Sequence, residues 1–248
     1  MIFTSSKNAG IRSFRPITNS LLVCVALAPV GCAGQKLTHT GFIAPETYTQ
    51  MAHTKDHTDD LIYVNPKLDI TRYRSVMIEP VVWQPIAKAP KLSTKVEARM
   101  TAAFQKELGD ALGHDFHILP TGDCGECVGV IKVRAAITNI RRSKWYYNAI
   151  PVVAGFAAGA AGGGLPPIPP PAPGGASEEL IASDAATGEA LISVATYNNG
   201  MPWNALGQWL PYAHAKRAFH IASLLLDEQF KKEKKQEHSQ QAMASSTN

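Results

Sequence analysis

Apolar positions recur along this chain in two rhythms, and each predicts a type of element. Between Thr94 and Leu112, residues Val96, Met100, Phe104, Leu108 and Leu112 return every four positions, with Ala103 and Ala111 widening the stripe. Side chains at that spacing share one face of an α-helix. Thr94 and Glu97 stand at capping-box spacing, in which each end satisfies an orphan backbone donor, and Gly113 closes the helix. A second stripe is made by Phe219, Ala222, Leu226 and Phe230, helped by Ala215, Ala218 and Leu225. It predicts a helix from just after Pro211 to about Lys231.

Elsewhere the period is two. Arg72 to Trp83 predicts a strand, with Val76 and Ile78 alternating with Ser75, Met77 and Glu79, and with Pro80 placing its end near a sheet edge. Phe116 to Leu119 predicts a short strand closed by Pro120. From Val128 to Arg142, residues Ile131, Val133, Ala135 and Ile137 face one way and Lys132, Arg134 and Thr138 the other, so one face is expected to meet solvent. Glu178 to Asp184 and Glu189 to Tyr197 predict a hairpin, its turn passing through Ala186, Thr187 and Gly188. The glycine supplies the positive φ that such a turn needs. The order is β-α-β-β-β-β-α. The expected fold class is α+β, a two-layer sandwich of an antiparallel sheet with two helices on one face.

The pattern changes at both ends. Lys7, Arg12 and Arg15 form a basic leader with no acidic residue before Glu46, and an apolar run from Leu21 to Val30 has the length of a signal-peptide core. Pro29-Val30-Gly31-Cys32 resembles a lipobox, the small residues before a cysteine that becomes acylated, with proline where leucine is usual. Ordinary cleavage after Ala33 and an uncleaved anchor are the alternatives. Acyl chains such as palmitate on Cys32 would hold the chain to a membrane, because several chains together make a durable anchor. Ala33 after the cysteine points to the outer membrane, facing the periplasm. The expected organisation is a lipoprotein signal peptide over 1–31, a tether over 32–60, and a domain over 61–231. Within the tether, residues 41–48 are apolar enough to dock; a Gly/Pro-rich insertion occupies 145–176 of the domain. The tail, 232–248, has no apolar face to bury and is expected to be disordered. Without the leader's three basic residues the net charge of +4 falls to about +1, which argues against nucleic acid as a partner.

Five stretches carry a resemblance. They are Tyr63 to Asp69, Tyr73 to Val81, Val133 to Ile140, Asp184 to Leu191 and His214 to Phe219. In that order they resemble the DUF3313 family of bacterial lipoproteins, and they span most of residues 41–230. The resemblance implies an exported lipoprotein domain with no assigned activity. It supports the address and leaves the function open.

Chemistry-bearing residues are few. Cys124 and Cys127 form a Cys-Gly-Glu-Cys pair between Pro120 and a strand, among Gly122, Gly125 and Gly129. In an oxidising compartment that context suits a disulfide staple, and a redox-active thiol pair is the rival reading. A zinc site would want two more ligands, and no second Cys-x-x-Cys exists. His114 with His117, and His53 with His57, are short-range coincidences. No nucleophile elbow, zincin, Walker or dinucleotide motif appears, so no cofactor, metal or catalytic residue is expected. Glu178 and Glu179 are neighbours on one strand and point to opposite faces, a poor geometry for paired acid–base work. Asp227 and Glu228 read as solvated charge, and Trp203 and Trp209 as cover for the core edge.

The most unusual stretch follows Trp145, Tyr146 and Tyr147. Gly155, Gly159 and Gly163 make a Gly-x-x-x-Gly-x-x-x-Gly run among alanines, and Pro166 to Pro173 reads as a stiff polyproline spacer. Aromatic residues next to Arg141, Arg142 and Lys144 resemble a membrane-interface belt, though residues 150–165 are too few for a full span. The expected function is that of a non-catalytic, lipid-anchored envelope lipoprotein that binds another envelope component. One alternative is membrane association or homo-oligomer formation through the glycine run; another is thiol exchange at Cys124 and Cys127.

Overall fold

Three long strands carry the core: β6 (Val130–Arg141), β7 (Gly175–Asp184) and β8 (Ala190–Asn199). In this computed structural model the described residues are 40–54, 59–122, 124, 125, 127–144, 174–199 and 209–246. Before β6 come a helical turn α1 (Pro45–Tyr48), β1 (Ala52–His53), β2 (Leu61–Val64), a 3-10 turn (Ile70–Arg72), β3 (Ser75–Ile78), β4 (Val82–Trp83), helix α2 (Thr94–Leu112) and β5 (His117–Leu119). Helix α3 (Ala213–Ser246) follows β8. The fold class is α+β, as expected. The core runs β3-α2-β5-β6-β7-β8-α3, and α1, β1 and β2 are additions that the sequence pattern did not announce.

The sheet order is β1-β2-β8-β7-β6-β3-β5, with β4 also on β6. The sheet is mixed, where a purely antiparallel one was expected. The β6–β7, β7–β8, β2–β8 and β1–β2 pairs are antiparallel, but β3 runs parallel to both β5 and β6, and β4 runs parallel to β6. The cause is α2, which carries the chain back across the sheet between β3 and β5, so the second strand starts from the same end as the first. The single strand expected over 72–83 is interrupted at Pro80, which has no N–H to give a ladder. Gln105 of α2 bridges the break: its Oε1 accepts from the Val81 N–H at 2.9 Å.

One sheet face is covered by both helices. Phe104 of α2 stacks on Phe219 of α3 with ring centroids 5.0 Å apart, over Ile131, Val133, Ala135, Leu180 and Val194. Ala215, Ala218 and Ala222 let the start of α3 lie close to the strands. The capping box does not form. Ser93 is the N-cap of α2, so the box residue Thr94 is already inside the helix and Glu97 sits one place too far along to reciprocate.

Four further expectations change. The face of β6 carrying Lys132 and Arg134 meets solvent only in its first half; Thr138 is buried, and Arg134 lies over the Phe42 ring at 4.9 Å. Residues 40–54 are therefore folded onto the sheet rather than part of a tether, with Ile43 fully buried. Gly175 and Ala176 belong to β7 rather than to the insertion. Finally, α3 continues to Ser246, where a disordered tail was expected. Lys, Glu, Gln and Ala are good helix formers, and Glu237 holds the extension to the domain by accepting from the Ile70 N–H at 3.0 Å.

Candidate functional site

Two connections, 145–173 and 200–208, leave the same end of the sheet, where β6 and β8 finish and β7 begins. Arg141, the last residue of β6, joins the three strand ends there. Its Nη2 donates to the carbonyl oxygens of Ala176 and Asn198, both at 2.8 Å, its Nη1 to Ser177 Oγ at 3.0 Å, and its Nε to Asn199 Oδ1 at 3.1 Å. The guanidinium lies over the Tyr197 ring, 4.2 Å from its centroid. Only arginine offers three donor nitrogens in a plane that also stacks on an aromatic face. Burial lowers its pKa, and the neighbouring Tyr197 and Glu178 oppose that shift.

Two glycines admit this arrangement. Gly174 and Gly175 have φ of 81° and 142°. A Cβ on Gly175 would fall 2.1 Å from the Asn198 carbonyl oxygen, and one on Gly174 would fall 2.5 Å from Ser143 Oγ. Ser143 N–H in turn donates to Pro211 O at 3.0 Å, tying the start of the insertion to the approach to α3. Both ends of the 145–173 segment are thus gripped at one place.

Beneath this grip, Glu178 and Glu179 are both buried, on opposite faces of β7. Glu178 lies in phase with Ala176, Leu180 and Ala182 on the helix-covered face. One carboxyl oxygen accepts from Thr196 Oγ1; the other has no hydrogen-bond partner among the described residues. Burial pushes its pKa up to about 8, against the Thr196 hydrogen bond and the charge of Arg141, and the nearby Asp60 adds to the rise. Asp60 is itself buried and accepts from the Tyr197 N–H at 3.0 Å. Glu179 holds the segment before β1. It accepts from Thr40 Oγ1 at 2.8 Å, the Ile43 N–H at 3.3 Å and the Tyr48 hydroxyl at 2.9 Å. Burial and the Glu179 charge both raise the pKa of Tyr48, so the phenol stays a donor. His214, in the first turn of α3, is buried, and burial followed by the charge of Arg217 lowers its pKa. Glu179 is fully engaged in internal bonds, and Glu178 is closed off from solvent. The chemistry of this end of the domain is that of a rigid support.

The family described as "Protein of unknown function (DUF3313)" matches residues 38–223. The chain belongs to the DUF3313 family. That match takes in Thr40 and Tyr48, all eight strands and α3 as far as Ser223, so every residue of the grip lies inside the DUF3313 region. No curated protein matches this DUF3313 chain. Among solved structures it is similar to the PelC dodecamer from Paraburkholderia phytofirmans, at 10% identity and a TM-score of 0.37, covering 66% of this chain and 95% of that one. A single-substitution PelC dodecamer from the same organism gives the same identity and coverage with a TM-score of 0.35.

Those residues singled out in the sequence that the structure describes lie apart from one another. Cys124 and Cys127 are joined in the loop before β6, with Cα atoms 4.7 Å apart, at the opposite end of that strand from the insertion. Cys32, Trp145, Tyr146, Tyr147, Gly155, Gly159, Gly163, Trp203 and His57 lie outside the described residues. His53, His114 and His117 are exposed, and among the described residues no three His, Cys, Asp or Glu side chains gather as a metal site would require. Trp209 is 60% exposed. Asp227, expected to be solvated, is instead a buried residue of α3 and accepts from Lys231 Nζ at 2.6 Å. The glutamates of β7 were seen in the sequence, but their burial was not. The available signal was phase, since Glu178 occupies an apolar position in the alternation of its strand.

Proposed function

We propose that this DUF3313 protein is a non-catalytic lipoprotein of the cell envelope, anchored by acyl chains on Cys32, whose domain presents the 145–173 segment to another envelope component. The observation that carries the reading is the grip on that segment: Arg141, Gly174, Gly175 and Ser143 fix both of its ends at one end of a rigid sheet. A long connection held by its stems on a scaffold is how folds commonly display a binding loop. The composition of the segment, aromatic at its start, with Arg141, Arg142 and Lys144 just before it, and small and apolar beyond, suits contact with an apolar or interfacial partner. A non-catalytic role is supported by Glu178 and Glu179, which face apart and away from solvent. The Gly155, Gly159 and Gly163 spacing favours a second copy of the chain as the alternative partner.

Anchoring is tested by intact mass and membrane fractionation in a Gram-negative host. The wild type is expected to carry acyl mass on Cys32 and to sediment with membranes, and Cys32→Ala is expected to become soluble. A wild type that is soluble and begins after Ala33 overturns the lipoprotein reading. Membrane retention of Cys32→Ala would move the anchor to an uncleaved leader or to residues 150–165.

A further inference from the structure

At the far end of the sheet from the insertion, the unexpected extension of α3 closes one side of a cavity of about 210 Å³. Its floor is apolar. Phe116, just before β5, meets Phe230 of α3 edge to face with centroids 5.3 Å apart, and the buried Ile70 lies beside them. Its rim carries the cations Arg74, Lys231 and Lys234 beside His238, with Asp115 as the one acidic residue lining it. Lys231 is neutralised, because its Nζ lies 3.2 Å from Asp115 and 2.6 Å from Asp227. Arg74 and Lys234 have no ion-pair partner among the described residues. The same face of α3 continues as a more open groove past Lys235 and Ser239.

The extension beyond Phe230 buries no apolar stripe of its own, so burial does not account for its place over the 3-10 turn. Its described attachment there is polar, Glu237 on the Ile70 N–H. What it contributes is the cationic wall. We propose that this cavity binds a small amphiphilic anion, with a phosphate or carboxylate head at Arg74 and Lys234 and a short apolar body against Phe116, Phe230 and Ile70. Two unpaired cations fix the charge of the head, and an aromatic floor of this size takes a body smaller than the drug-sized molecules that fill pockets of roughly 300–1,000 Å³. The head could belong to a free metabolite or to a membrane lipid.

Calorimetric titration of the purified full-length chain with hexyl phosphate tests this, with inorganic phosphate and ethyl phosphate alongside. Hexyl phosphate is expected to bind, inorganic phosphate to bind far more weakly, and each methylene removed to weaken binding roughly two- to fourfold. Arg74→Gln with Lys234→Gln, both at exposed positions, is expected to weaken hexyl phosphate about tenfold or more while leaving thermal unfolding unchanged. Equal binding of inorganic and hexyl phosphate, affinity unmoved in the double variant, or no binding at all overturns the proposal. Co-sedimentation with phosphatidylcholine vesicles containing phosphatidic acid separates the sources. Retention that falls in the double variant supports a lipid head, and hexyl phosphate binding without vesicle retention supports a soluble ligand.

Discussion

Replacing Glu178 with glutamine is expected to raise stability at pH 8 by a few kcal/mol and to leave it level or slightly lower at pH 5. Glu178 titrates at 4.5 in an unperturbed chain and at about 8 when folded. A raised carboxyl pKa means that the folded state holds the proton more tightly. The contribution is therefore fully present below pH 4.5 and is lost as the pH climbs through 8. Over that window wild-type stability falls by about 1.4 kcal/mol per pH unit, on the order of 5 kcal/mol in all. Glutamine is neutral throughout and can still accept from Thr196 Oγ1. Its amide N–H groups inherit the position of the carboxyl oxygen that lacks a described partner, which costs about 1–3 kcal/mol. Urea unfolding midpoints of both proteins from pH 5 to 8.5 check this. Curves that stay parallel across the range would show that Glu178 is ionised in the fold at every pH.

The second large effect is expected at Gly175. Alanine there places a Cβ 2.1 Å from the Asn198 carbonyl oxygen, at a φ of 142°. Neither the β8 backbone nor Arg141, which bonds that same oxygen, can withdraw without opening the grip. Left-handed strain and overpacking together are expected to cost roughly 3–5 kcal/mol. Gly188→Ala is the control. Its φ is 76°, but a Cβ meets nothing within 4 Å, so only conformational strain of about 1–2 kcal/mol applies. Chemical denaturation of the two variants measures the difference. Equal losses would mean that the contact at Asn198 does not constrain the chain.

Much of the scaffold can be read from the sequence, because burial imposes a period on it. Met100, Phe104, Leu108 and Leu112 on one helix, and Phe219, Ala222, Leu226 and Phe230 on the other, are buried as their spacing requires, and Gly188 turns the hairpin. Strand direction is not encoded in a two-residue alternation, so the parallel placement of β3, β4 and β5 could not be read there. Leu61 to Val64 are all half-buried and show no alternation, which hides β2. Charge misleads in the same way. Glu178, Glu179 and Asp227 look solvated as residue types, yet they are buried in the presence of Thr196, Tyr48 and Lys231, partners at separations of 4 to 131 residues. The extension of α3 is held by the Glu237 carboxylate, which accepts from the N–H of Ile70, 167 residues away, and no local pattern reports such a contact.

We assign partner contact to the gripped 145–173 segment. Photo-crosslinking in a Gram-negative host, with the reactive residue at Tyr147 or at Val128, tests it most directly. Val128 is 77% exposed and precedes the opposite end of β6, so it serves as the comparison site. A discrete heterologous adduct from position 147, absent from position 128 and lost in Cys32→Ala, is the predicted result. Adducts from 128 and none from 147 would contradict the claim, and an adduct at twice the mass of the chain would replace the envelope partner with a second copy.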